Sequence, residues 1–447
     1  MLNFDNFLKR NFLTVLVLSI FTLLMLHGPQ HYTDSETYLN ATLIRSPLYP
    51  FLIDIFRFFC GSSFEYWLVA FQLTIGGWAI YLFCSIISRQ LFLSPLGFIV
   101  TLALAASPYF GLSIQTGNAI LGEGIAYPLF LFAIYFLIRG LTEKSFRFIG
   151  SFVLFSFLLV LTRKQFLFLY PIAFLIIGHF LFCGGGRLKV FYLLMILFLG
   201  GFSVSFIEYA NNYLRRDHFA PTSYTGIQLV TMAVYVSKST DILVIRDEQQ
   251  AKLFQHIYSR TNQKRITLDT LDAARQNQFL NKFQHFFTNY PDIMTEVIDA
   301  VENVYLSKTI TRDEGQIIAE RETTRLAFTL IKENPKRYAM MYLLNVFYGL
   351  GGHGIGDGYS VRGNYFVLLQ LVAAVFLCKY LIQYPKKMPI AIVFIFLLLL
   401  HFSNIAQVAL VVPALDRYTF YTSTVLMVFL TGLISKGIEG LAMRRSS

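Results

Sequence analysis

The chain has 447 residues, of which 55% are hydrophobic and only 14% are charged, and this composition excludes an ordinary water-soluble globular protein. The formal net charge of +11 does not indicate nucleic-acid binding, because basic residues in a membrane protein mark its cytoplasmic loops. We therefore predict an integral membrane protein, with the lipid bilayer as a partner and no nucleic-acid partner.

The apolar runs predict helices rather than barrel strands, because none of them alternates with a period of two. A run of about 18 to 23 residues crosses about 30 Å of hydrocarbon as a helix. Basic residues cluster in alternate connections, which predicts cytoplasmic N- and C-termini. We predict an all-α integral membrane protein with about ten transmembrane helices, at 9–27, 65–88, 92–108, 118–138, 147–162, 166–183, 190–209, 364–384, 390–412 and 417–436.

A long polar segment follows the seventh predicted span, at 209–337, and has the composition of a soluble protein. Its patterning is helical: Thr311 and Glu314 have the spacing of a capping box, and Pro291 is predicted to open another helix. The apolar stretch at 338–350 is too short to cross the membrane, and we predict that it lies on the outer surface.

These features predict three segments. They are an N-terminal membrane module at 1–208 with a first outer loop at 28–64, an extracytoplasmic helical segment at 209–350, and a C-terminal membrane module at 351–447. The glycosylation sequon Asn40-Ala41-Thr42 lies in the first outer loop, where a glycan would obstruct a site. We therefore predict a bacterial inner-membrane protein.

The first outer loop carries the strongest candidate residues. In an extended loop, Asp34 and Glu36 would point to the same side and share one cavity, whereas the alternative interpretation makes Asp34 or Ser35 the cap of a helix that begins near Thr37. Arg45 stands just before Pro47 and Pro50, which predict a rigid extended turn. A guanidinium held in this way can bind a phosphate through two hydrogen bonds.

Further charged residues are predicted at the outer ends of other spans. Glu123 lies inside the fourth span, where an ionisable group is costly unless it is paired or used. Arg163 and Lys164 occupy a tight turn, and Asp416 and Arg417 begin the last span. Each has a structural alternative, namely contact with lipid headgroups or an interfacial ion pair. Their predicted convergence on one face favours an active site there.

Taken together, these motifs resemble the GT-C class of multi-span glycosyltransferases, and in particular the members built like the lipid A aminoarabinose transferase and the protein O-mannosyltransferases. The resemblance rests on short motifs spread along most of the chain. They are Asp34-x-x-x-Tyr38, Arg45-x-Pro47-Leu48-Tyr49-Pro50, Gly122-Glu123, Leu161-Thr162-Arg163, Ile331-x-x-Asn334-Pro335-x-x-Tyr338 and Asp416-Arg417-Tyr418.

The resemblance implies an inverting transfer of sugar from a polyprenyl-phosphate donor to a glycan, lipid or protein acceptor on the outer face. It implies that Asp34 is the general base and that Glu36 orients the acceptor or helps to coordinate a divalent cation. The family signature often has adjacent acids, whereas Ser35 separates them here, so the choice of base between Asp34 and Glu36 stays open. The resemblance further implies that the donor phosphate is bound by Arg45, Arg163, Lys164 and Arg417, and that the substrates contact Tyr38, Tyr49, Glu123 and Tyr418.

Two other functions remain as alternatives. A polysaccharide ligase or polymerase would use a lipid diphosphate donor and carry its arginines in a large outer loop. A transporter or flippase would show paired repeats and broken helices, which the sequence lacks. The glycine-rich run at 351–358 is interpreted as a flexible joint, and the spacing of His31, His353 and Asp357 demands no metal. No cofactor is therefore assigned.

Overall fold

The structure is a computed structural model that describes residues 24–110, 116–182, 186–222, 224–271, 278–306, 311–350, 388–413 and 416–445, together with the single positions 19, 22 and 375. The predicted span at 364–384, the glycine-rich run at 351–358 and most of the predicted span at 9–27 lie outside these residues.

The chain divides into two compact units. Unit 1 consists of Met1–Ile207, Ile355–Asn404 and Thr419–Ser447, and unit 2 consists of Glu208–Gly354 and Ile405–Tyr418. Residues from both ends of the sequence therefore belong to unit 1.

Unit 1 is built from helices around one apolar core. Helix α5 is the most enclosed of the candidate spans, with 78% of its apolar window buried, and it packs against α3 and α6. The helices are α1 (Ser35–Leu39), α2 (Leu48–Cys60), α3 (Phe64–Leu91), α4 (Pro95–Ala106), α5 (Glu123–Glu143), α6 (Phe146–Thr162), α7 (Leu169–Phe182) and α8 (Arg187–Arg216), the last of which continues into unit 2. Short 3-10 turns lie at Gly61–Ser63, Ser107–Tyr109 and Lys164–Phe168.

The prediction of an all-α protein with membrane-spanning helices is confirmed for the described residues, which contain no strand and only an isolated bridge between Gln30 and Ala119. Among the described residues, six helical segments are long and apolar enough to cross a membrane. They are Leu48–Leu91, Glu123–Glu143, Lys164–Phe182, Arg187–Arg216, Pro389–Ala409 and Arg417–Lys436. The number of ten crossings and the cytoplasmic position of both termini stay predictions.

The segment after Arg45, which was predicted to be an extended proline turn, differs from that prediction. Pro47 has helical backbone angles and is the N-cap of α2, so the prolines begin a helix instead of an extended turn. Proline suits this position because the first helical residues have no partner for a backbone N–H. Part of the predicted loop at 28–64 is therefore helical.

The described residues of unit 2 form five further helices around a core of their own, and later chain segments contribute to both units. The helices are α9 (Thr225–Val236), α10 (Glu248–Gln263), α11 (Phe279–Val304), α12 (Arg312–Glu333) and α13 (Pro335–Leu350), followed in the chain by α14 (Met388–Ala409) and α15 (Asp416–Arg445). The predicted cap of α12 is confirmed, because the Thr311 side chain accepts a hydrogen bond from the Glu314 N–H.

The prediction that Pro291 opens a helix is wrong, since α11 begins at Phe279 and runs through this proline. Phe283, Phe286 and Tyr290 precede the proline and are buried in the same core as apolar residues that follow it, such as Ile293 and Val297. Burial of a continuous aromatic and aliphatic face therefore offsets the hydrogen bond that the proline removes.

Ion pairs between side chains also join helix α11 to the end of α10. The Glu296 carboxylate lies 2.6 Å from Lys264 Nζ and 3.3 Å from Arg260 Nη1. Burial alone would raise the pKa of Glu296, but hydrogen bonds from Lys264 and Arg260 outweigh it and leave the pKa below its ordinary value. The carboxylate is therefore charged at neutral pH.

The Asn334-Pro335-x-x-Tyr338 motif has a structural role in unit 2. Asn334 is buried, and its side-chain N–H donates to the Asp241 carboxylate, which also accepts from the Lys238 N–H at 2.9 Å. The Tyr338 hydroxyl donates to the Leu410 carbonyl. These bonds satisfy buried polar groups where α12 ends and α13 begins.

Gly226 allows α9 to approach α12 closely, and we expect Gly226→Ala to destabilise unit 2 by about 1–3 kcal/mol. A Cβ at this position would lie 2.6 Å from the Glu320 backbone carbonyl oxygen, which cannot move without shifting the helix. The comparison is thermal unfolding in detergent against Gly178→Ala, because a Cβ at Gly178 meets nothing within 4 Å. Equal unfolding temperatures for the two variants would contradict the close approach.

Candidate active site

The first loop of unit 1 is attached to the segment that leads into α5. The Gln30 N–H donates to the Asn118 carbonyl at 2.9 Å, and the Ile120 N–H donates back to the Gln30 carbonyl at 3.0 Å. The Asn118 side chain adds a bond of 2.9 Å to the Gly28 carbonyl. This short ladder places the Asp34 loop beside the N-terminus of α5, which begins at Glu123.

Asp34 and Arg45 form an ion pair in this loop. Arg45 Nη2 donates to the Asp34 carboxylate at 2.7 Å, and Arg45 Nε donates to the Thr37 hydroxyl at 2.6 Å. The guanidinium carbon lies 4.4 Å from the centre of the Tyr38 ring. The Asp34 side chain is 31% exposed and that of Arg45 is 16% exposed, so the pair lies at the surface of unit 1.

The expected extended loop is not observed, because Ser35–Leu39 forms the short helix α1 with Asp34 at its N-cap. Two local bonds favour the turn: the Tyr32 N–H donates to the Ser35 hydroxyl, and the Thr37 hydroxyl donates to the Asp34 carbonyl. Helical spacing directs the side chains at i and i+2 apart. Glu36 is exposed, and of the two carboxylates it is Asp34 that pairs with Arg45.

A second ion pair, between Arg163 and Glu123, is less exposed than the first. Arg163 contacts the carboxylate of Glu123, whose side chain has no exposed surface, and the Arg163 side chain is only 11% exposed. Arg163 ends α6 with extended backbone angles, which turns the chain into the 3-10 segment beginning at Lys164. Charges removed from water in this way depend on each other, because either one alone would be buried without compensation.

Aromatic and amide side chains connect the two ion pairs. The rings of Tyr38 and Tyr49 meet edge to face with their centres 5.3 Å apart. The Tyr49 hydroxyl donates to Gln72 at 2.8 Å, and Gln72 donates to the Ala119 carbonyl at 3.3 Å. A Cβ on Gly122, the residue before Glu123, would lie 3.0 Å from the Tyr38 hydroxyl. The structure therefore brings Asp34, Arg45, Tyr38, Tyr49, Glu123 and Arg163 into one connected group.

No family model, curated protein or solved structure matches this chain. The function therefore has to be inferred from the arrangement of the residues themselves.

The remaining candidate residues for binding the donor and the substrates are Lys164, Arg417 and Tyr418. Lys164 is partly exposed in the turn after Arg163. Arg417 and Tyr418 belong to unit 2, where Tyr418 packs on the unit 2 core. In the described part of the chain there is no cluster of three or more His, Cys, Asp or Glu side chains suited to a metal ion.

Three residues that hold this group or its loop through hydrogen bonds were not predicted from the sequence: Thr37, Gln72 and Asn118. Gln72 carried a usable signal, because a fully buried amide inside an apolar helix requires partners. Thr37 and Asn118 carried no such signal, because polar residues in predicted loops are ordinary.

Proposed function

We propose that the protein is a membrane glycosyltransferase that moves a sugar from a polyprenyl-phosphate donor to a glycan, lipid or protein acceptor. The observation that carries the proposal is the Asp34–Arg45 pair, a partly exposed carboxylate held by a guanidinium at the surface of an apolar helical unit. A sugar-phosphate substrate needs a base and a cation close together, and this pair supplies both.

The Asp34 carboxylate is suited to receive a proton because about a third of its side chain is exposed, whereas Glu123 is enclosed. In the proposed reaction an acceptor hydroxyl attacks the anomeric carbon and its proton passes to Asp34. The new C–O bond forms as the bond between sugar and phosphate breaks. The electron pair leaves with the polyprenyl phosphate, and the configuration at the anomeric carbon inverts.

Arg45 is suited to bind the departing phosphate. Its Nε and Nη2 atoms bond to Thr37 and Asp34, which fixes the guanidinium plane, and in the described part of the chain Nη1 has no hydrogen-bond partner. Cationic donors held rigidly in this way stabilise negative charge as it develops on a leaving group. Arg163 is proposed to assist in binding the donor phosphate, and its pairing with Glu123 fixes its position.

We propose that the site faces the outside of the cytoplasmic membrane of a bacterium, because the short connections on the opposite side carry basic residues such as Arg89, Arg139, Lys144, Arg187 and Lys189. A lipid-linked donor suits that side, where nucleotide sugars are absent. Glu36 is exposed on α1, where we propose that it orients the acceptor or assists a divalent cation.

The proposal is tested with the purified full-length chain in lipid nanodiscs, supplied with polyprenyl-phosphate sugars and envelope glycans, lipids or proteins as acceptors. We expect glycosylated acceptor and free polyprenyl phosphate in equal amounts by mass spectrometry, and neither from empty nanodiscs. Consumption of diphosphate-linked donors alone would identify a ligase or polymerase instead. Movement of a lipid-linked sugar across proteoliposome membranes without bond cleavage would identify a flippase.

A further inference from the structure

Helix α2 has two apolar faces, and in the described part of the chain only one of them is covered by protein. Tyr49 and Ile53 are buried in the core of unit 1, and Leu52 and Phe56 pack against it. The opposite face presents Phe51, Ile55, Phe58 and Phe59, at spacings of four, seven and eight residues that put them on one stripe. Phe58 and Phe59 are 83% and 77% exposed.

The helix is too short to cross a membrane, and the chain does not need it to do so. Its 13 residues reach about 20 Å, whereas the 28 residues of α3 reach about 42 Å and can cross about 30 Å of hydrocarbon alone. Gly61 separates the two helices with a φ of 54° and a ψ of −131°, a conformation that favours glycine. α2 and α3 are therefore separate elements.

The surroundings of α2 indicate the depth at which it lies. Tyr66 and Trp67, in the first turn of α3, are exposed like Phe58 and Phe59. Exposed tyrosine and tryptophan at the end of an apolar helix are typical of the boundary between hydrocarbon and headgroups. The only charged residues of α2, Asp54 and Arg57, lie 3.9 Å apart beside the exposed apolar stripe, as in helices that lie along a membrane surface.

We propose that α2 lies along the membrane surface, with Phe51, Ile55, Phe58 and Phe59 inserted among the lipid chains just below the headgroups. The partner is the lipid bilayer itself, continuous with the lipid that surrounds α3. Interfacial helices insert their apolar face by about 5–10 Å. The inference does not rest on the proposed function, because it concerns only where the helix lies.

This position of α2 sets the depth of the Asp34–Arg45 pair. Arg57 Nη1 donates to the carbonyl of Leu39, the last residue of α1, at 2.8 Å. The Tyr49 ring of α2 also packs on Tyr38 of α1. Because α1 begins beside Asp34, these contacts hold the ion pair at the level of the lipid headgroups, the depth at which the phosphate of a lipid-linked substrate lies.

The test measures how deeply the exposed stripe sits in lipid. In a Trp67→Phe, Trp78→Phe background, Phe58→Trp and Phe59→Trp report by fluorescence in nanodiscs whose lipids carry bromine either near the headgroup or near the chain end. We expect both tryptophans to be quenched most strongly by bromine near the headgroup. Phe198→Trp is the control for a deep position, because Phe198 is 75% exposed within the candidate span Arg187–Arg216.

Three results would overturn the inference. Stronger quenching by bromine near the chain end than near the headgroup, as expected for Phe198→Trp, would mean that α2 enters the hydrocarbon core. Quenching only by acrylamide in the water would mean that the stripe faces solvent. No quenching by either, as expected for a Phe83→Trp control at a fully buried position, would mean that protein covers the stripe. Phe58 and Phe59 are both exposed, so Phe58→Trp and Phe59→Trp leave the packing of unit 1 intact.

Discussion

Replacing Asp34 with asparagine is expected to slow sugar transfer by about a hundredfold to ten-thousandfold, the usual contribution of a general base. Asparagine keeps the size of the side chain and can still accept a hydrogen bond from Arg45, but it cannot take a proton from the acceptor. The measurement is the rate of polyprenyl phosphate release by purified protein in nanodiscs, with donor and acceptor both saturating.

The matched control is Glu36→Gln, which removes a carboxylate two residues further on. The Glu36 side chain is exposed and makes no hydrogen bond in the described part of the chain, and its proposed role is to orient the acceptor or assist a cation, so we expect a smaller loss of rate than for Asp34→Asn. The reverse order of the two rates would make Glu36 the base. Unchanged rates in both variants would reject both carboxylates as the base, while transfer by the wild-type protein would still stand.

Replacing Glu123 with glutamine is expected to destabilise the protein by about 3–5 kcal/mol, because it removes the carboxylate that pairs with the buried guanidinium of Arg163. The double variant Glu123→Gln, Arg163→Met removes both charges and should be more stable than the single variant, since no uncompensated charge remains. Thermal unfolding of four proteins in detergent, namely wild type, Glu123→Gln, Arg163→Met and the double variant, measures the coupling between the two residues.

The exposed pair Glu248–Lys252 provides the control for this experiment, since its atoms are only 2.6 Å apart but both side chains are mostly exposed. Glu248→Gln should leave the unfolding temperature nearly unchanged, because water already stabilises such charges. If Glu123→Gln were equally mild, or if the two substitutions at Glu123 and Arg163 were simply additive, the buried pair would not hold the site together.

Much of the helical framework could be predicted from the sequence. The helices expected at 65–88 and 147–162 are observed at Phe64–Leu91 and Phe146–Thr162, because long apolar runs have few alternatives to a helix. The helix expected from 118 begins only at Glu123, since residues 118 to 120 pair with the first loop instead. Boundaries of this kind depend on contacts from distant parts of the chain.

The first loop shows where local rules were insufficient. Prolines 47 and 50 were interpreted as an extended turn, although proline is equally suited to a first helical turn. The burial of Tyr49 and Ile53 in the core decides in favour of the helix, and their burial cannot be seen from neighbouring residues alone. The same applies to α1, which is only five residues long.

The sequence by itself indicated the membrane environment and the all-helical class of fold, because composition and the length of the apolar runs decide whether a chain enters a membrane and whether it does so as helices. It also singled out Asp34, Arg45, Glu123 and Arg163, since charged residues are uncommon beside such runs. Only the tertiary structure decided their pairing. Asp34 joins Arg45 within the first loop, and Glu123 joins Arg163 because α5 packs against α6, while the backbone bonds between Gln30 and residues 118 to 120 hold the first loop against the start of α5.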